Sequence, residues 1–93
     1  MSRETLFTFV LEYRGGTYIS QVSEVSLAGA MARWANTRTD RDLTTWKLAR
    51  KQLAELVEGD IPVMVDGCQG VWCLSNSSKE GLMLLNIIAT HSE

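Results

Sequence analysis

Two glycines, Gly15 and Gly16, separate the alternating apolar runs Leu6 to Tyr13 and Tyr18 to Val22, and no other feature restricts the fold of this chain so tightly. The pattern predicts a β-hairpin. A two-residue primed turn needs positive φ at both central residues, which glycine adopts without steric cost. Centring the turn on the glycine pair sets Arg14 opposite Thr17 and Tyr13 opposite Tyr18.

Ninety-three residues, 45% of them hydrophobic and 22% charged, suit one domain over residues 1–93 with a single core. A domain this small buries little more than ~60% of its unfolded surface, so exposed apolar area is costly. The apolar stretches are far shorter than the roughly 20 residues of a membrane helix, and Arg3, Glu4, Glu12 and Arg14 break any signal-peptide core. The expected setting is cytoplasmic, with no membrane partner. Cys68 and Cys73, in a chain without an export signal, are expected as reduced thiols.

After the hairpin, Ser26 is a candidate N-cap for a helix carrying Leu27, Ala30, Met31, Trp34 and Ala35 at helical spacing. It should end near Thr37. Thr39, Asp40 and Asp42 offer caps for a second helix, whose stripe is Leu43, Trp46, Ala49, Leu53, Leu56 and Val57, with Gly59 closing it. Pro62 ends helix formation and opens a strand, Ile61 to Val65; Val71 to Ser75 is a fourth strand. Leu82 to Thr90 is ambiguous. Ser77 and Glu80 match a capping box, but Gly81 and the polar stretch from Ser75 favour a hairpin loop into a fifth strand. The expected order is ββααβββ: an α+β domain in two layers, with a mainly antiparallel five-stranded sheet and two helices.

The opening strand, Gly-Gly turn, strand and helix, about 35 residues, resemble the start of small antitoxins of the HicB type. The chain departs from that pattern in lacking the Pro-Gly-Cys region of the second strand and in its two-helix insertion and terminal hairpin. Neither the partners nor the RNA-related function of that family is carried over.

Strand alternation puts Phe7, Phe9, Leu11 and Tyr13 on one side of the sheet and Leu6, Thr8, Val10 and Glu12 on the other. In the last strand Met83, Leu85, Ile87 and Ala89 oppose Leu82, Leu84, Asn86, Ile88 and Thr90, and both sets are largely apolar. An antiparallel sheet with a solvated side normally alternates apolar with polar residues. Burying one Leu or Ile is worth roughly 1.5 to 3 kcal/mol, so a bare second face would forgo several. The expectation is a protein–protein interaction or regulatory module, a homodimer through Leu6, Thr8, Val10, Ile19, Leu84, Asn86 and Ile88. Alternatively, one helix covers each face, or the last strand is central in the sheet and the remaining apolar residues are scattered.

The net charge of −2 is segregated. Arg33, Arg38, Arg41, Lys47, Arg50 and Lys51 face only Asp40 and Asp42 within their stretch, a balance of +4, and the remaining segments balance to −6. The basic residues suggest an alternative function, a ridge on the helices that binds nucleic acid. A solvated helix face is the simpler account, since the acid-rich remainder of the chain opposes phosphate binding, and Trp34 and Trp46 fit the apolar stripes.

No reaction signature emerges. His91 is the only histidine and lies at the end of the chain, away from a nucleophile. Cys68 and Cys73 supply two of the four ligands that a closed zinc site needs, so no metal is expected. Cys73 reads as a small core residue, and Cys68, in a glycine-flanked turn, is the one candidate for a thiol enzyme. Gly15-Gly16 and Gly67 with Gly70 do not open a helix directly after a strand, so no nucleotide cofactor is indicated. Asp40 and Asp42 read as helix-start residues. The chain is expected to be no enzyme and to need no cofactor.

Overall fold

Strand alternation and helical spacing resolve into eight elements in the computed structural model, which describes residues 4–59, 61–78 and 81–90. In chain order they are β1 (Thr5–Tyr13), β2 (Gly16–Glu24), α1 (Leu27–Asn36), α2 (Asp40–Trp46), α3 (Arg50–Gly59), β3 (Val63–Met64), β4 (Val71–Ser78) and β5 (Gly81–Thr90). The strands form one antiparallel sheet in the order β2-β1-β5-β4-β3. The α+β class and the five antiparallel strands are as the sequence predicts. His91 and the 79–80 segment of the last hairpin lie outside the described residues.

The first hairpin forms, but its turn sits one residue earlier than the glycine pair suggests. Arg14 (φ 50°) and Gly15 (φ 80°) are the central residues, so Tyr13 faces Gly16 and Leu11 faces Tyr18. Moving the turn by one residue shifts the pairing by two, and every side chain therefore keeps its face. The gain lies in the packing. Phe9 comes opposite Ser20, whose Oγ accepts a 2.9 Å bond from the indole N–H of Trp34, and Trp34 itself stacks on Phe9 at 5.0 Å. Gly16 is needed for its lack of a side chain, because a Cβ there would fall on the Tyr18 hydroxyl.

Three helices replace the expected two. Ser26 caps α1 by accepting from the Gly29 N–H, and Thr39 with Asp42 forms a reciprocal capping box for α2. The predicted long second helix breaks after Trp46. Lys47 takes a left-handed conformation at φ 57°, its N–H donates to the Thr44 carbonyl, and the Leu48 N–H reaches back 3.0 Å to the Leu43 carbonyl. This is a Schellman ending in which Lys stands where glycine is usual. The break turns Leu48 inward, to 5% exposure, beside Leu43. Gln52 then starts α3, accepting from the Ala49 N–H at 2.9 Å and donating to the Tyr13 hydroxyl at 3.2 Å.

The third strand keeps only Val63–Met64 of the predicted Ile61 to Val65, consistent with Pro62 having no N–H to donate. The fourth is longer than predicted, pairing with β5 as far as Ser78 opposite Gly81. All three helices bury their apolar residues in one cluster with Phe7, Phe9, Leu11, Tyr13, Leu74, Met83, Leu85 and Ile87. One helix on each face is therefore not the arrangement adopted, whereas the last strand is central in the sheet, as the other alternative has it.

Candidate interaction face

Cross-strand partners share a face, so the pairing registers assign every strand residue to one side of the sheet. Opposite the helices lie Leu6, Thr8, Val10 and Glu12 of β1; Thr17, Ile19, Gln21 and Ser23 of β2; and Leu82, Leu84, Asn86, Ile88 and Thr90 of β5. Val71, Cys73, Ser75 and Ser77 of β4 and Val63 of β3 complete it. None of these residues is buried. Ile19, Val63 and Leu82 are 67%, 66% and 57% exposed, and Glu12 is the one charged residue on this face among the described strands.

The seven residues predicted for an interface, Leu6, Thr8, Val10, Ile19, Leu84, Asn86 and Ile88, all fall on this side. The expected interface leaves out Leu82, although alternation sets it on this face, and also Val71, Cys73 and Val63; these four extend the apolar surface across the sheet. Cys73 is a correction: it is half-buried on the open face and does not belong to the core cluster. The alternation Val71, Cys73, Ser75 carried the signal, but its side could be assigned only once β4 was paired with β5.

One row crosses all five strands on this face. Ile19 pairs with Val10, Val10 with Asn86, Asn86 with Cys73, and Cys73 with Val63. Its central member, Asn86, is also near the middle of the central strand. A neighbouring row holds Gln21, Thr8, Ile88 and Val71, where the Gln21 amide donates 3.0 Å to the Thr8 hydroxyl. Among the described residues, no group hydrogen-bonds the Asn86 side chain.

The basic residues do not gather into one free ridge. Arg33 Nε pairs with Glu24 at 3.2 Å, and Arg50 with Asp40 at 3.3 Å and with the Arg38 carbonyl at 3.1 Å. Arg38, with a side chain only 12% exposed, lies over the rings of Trp34 and Trp46 and donates to the Trp34 carbonyl that ends α1. Burial lowers its pKa below the ordinary guanidinium value, and Asp42 partly opposes the shift. Arg41, Lys47 and Lys51 remain exposed. A concavity of about 710 Å³ at the α2–α3 junction holds Arg14, Lys47 and Arg50, together with Asp40.

Cys68 is an exposed free thiol in the turn after β3, and Cys73 is also free. Asp42 is spent on the α2 cap and Asp40 on Arg50, as helix-start residues should be. No described helix is long and apolar enough to cross a membrane. Comparison with protein-family models, curated proteins and solved structures finds no match, and the likeness to HicB-type antitoxins gains no support there.

Proposed function

We propose that this chain is a small non-catalytic interaction or regulatory module that self-associates through the sheet face opposite its helices. The observation that carries the reading is the open face, where Leu6, Val10, Leu84, Ile88 and Val71 form an uncovered apolar patch between Ile19 on one edge strand and Val63 on the other, with polar residues among them. Five strands spaced about 4.8 Å apart, each residue rising about 3.3 Å, give a face of roughly 500 to 600 Å² in plan. Two such faces would cover roughly 1,000 to 1,200 Å² together, at the lower bound for a specific interface. Glu12, near one end of β1, is the one charge on the face among the described strands, so a second copy meets little like-charge repulsion there. Polar side chains such as Ser20, Ser26, Asp40 and Asp42 are engaged in caps and tertiary bonds, which favours a non-catalytic role. Two free thiols, one exposed, suit a reducing cytoplasmic setting.

Light scattering across a concentration series tests the association, and thiol footprinting tests its location. The wild-type chain should show twice the monomer mass. Cys73 should alkylate slowly and regain reactivity on dilution, while Cys68 reacts at one rate throughout. A monomer at the highest concentration, or equal protection of both thiols, overturns the reading.

A further inference from the structure

We infer that Asn86 pairs with Asn86 of a second copy at the twofold axis of the dimer, an assignment that rests on the self-association proposed above. Two identical sheets packed face to face are exchanged by a twofold axis that runs between them, parallel to both. Any residue standing over that axis meets its own copy. Asn86 stands at the centre: β5 has two strands on either side, and Asn86 is the middle member of the row Ile19, Val10, Asn86, Cys73, Val63. A central axis therefore passes beneath it, whichever way the axis runs in the plane.

The chemistry agrees with the position. Asn86 is a polar residue set between Leu84 and Ile88 along the strand and between Val10 and Cys73 across it, with no partner for its amide among the described residues. Covering the face with another apolar surface would strand that amide, which is costly in a dry interface. A facing carboxamide removes the cost. Each amide N–H donates to the other's carbonyl oxygen, giving two reciprocal bonds, and sheets stacked about 10 Å apart bring two opposed asparagine side chains end to end. Ringed by Val10, Cys73, Leu84 and Ile88, such a pair fixes register, because a slip sets each amide against an apolar neighbour, as a single buried asparagine does between coiled helices.

A charge-exchange experiment tests this. Asn86→Asp and Asn86→Lys each place like charges together at the axis, and each variant alone should associate about a hundredfold more weakly than wild type. Mixed in equal amounts they should form a heterodimer, seen as one intermediate mass by native mass spectrometry. Circular dichroism checks that each remains folded, as a substitution on the open face should. Asn86→Leu should still associate, but into a mixture of species rather than one dimer. A monomeric wild type overturns both this inference and the proposed function. A wild-type dimer overturns the inference alone if its charged variants stay dimeric or fail to combine, or if its Leu variant forms the same single dimer.

Discussion

The guanidinium carbon of Arg38 lies 5.3 Å from the centroid of the Trp46 ring and 5.8 Å from that of Trp34, so one cation spans two indoles that stack on each other at 6.1 Å. The same side chain donates 3.0 Å to the Trp34 carbonyl and approaches Asp42 at 3.9 Å. It thus ties the end of α1 to the start of α2.

Arg38→Ala removes the cation over the rings, the bond to the end of α1 and the packing of the side-chain stem. Thermal and urea unfolding should show a loss of about 2 kcal/mol. Arg38→Lys keeps the charge but not the planar fork, and should recover about half of it.

Lys47 occupies a left-handed position that disfavours residues with a Cβ by about 1 kcal/mol. Lys47→Gly should therefore stabilise the domain by up to about 1 kcal/mol in urea unfolding, with the slope of the transition unchanged. A loss of stability would show that the lysine side chain holds the α2–α3 junction in some other way.

Gly16 and Tyr18 should be energetically coupled. Gly16→Ala forces the Tyr18 ring, stacked on Trp46 at 5.3 Å, to move, and should cost about 1 to 2 kcal/mol. On a Tyr18→Ser background the same substitution should cost little. A double-mutant cycle measures the difference.

Leu84 and Leu85 are chain neighbours on opposite faces. Leu85 is fully buried, so Leu85→Ala should cost about 2 to 5 kcal/mol of folding stability. Leu84→Ala should cost under about 1.5 kcal/mol in the dilute chain and act chiefly on self-association, read as a concentration-dependent mass.

The two faces of the sheet could be read from the sequence because strand alternation has a period of two, and even the misplaced hairpin turn preserved it. The turn itself was not legible. The local rule favours Gly15-Gly16, since Arg14 at φ 50° carries a Cβ; the turn at Arg14-Gly15 goes with the contacts of Phe9, Ser20 and Trp34, which meet only in the folded chain. The break between α2 and α3 was hidden for a related reason: its left-handed residue is a lysine, so no glycine marks it. The basic stretch looked continuous along the chain, whereas Arg33, Arg38 and Arg50 each turn to a different partner. Cys73 needed the β4–β5 pairing before its side could be assigned.

The middle strand of the sheet, β5, comes last of the five in chain order. Its union with β1, from Leu6 opposite Thr90 to Glu12 opposite Leu84, closes a loop comprising nearly the whole chain. The opening hairpin and the helices can form early, but the inner edge of β1 stays bare until β5 arrives. Such long-range closure slows folding and lengthens the interval in which an unpaired apolar strand can capture another molecule. Refolding should accordingly lose yield as protein concentration rises, a hazard set by the order of the strands and independent of the stability of the finished domain.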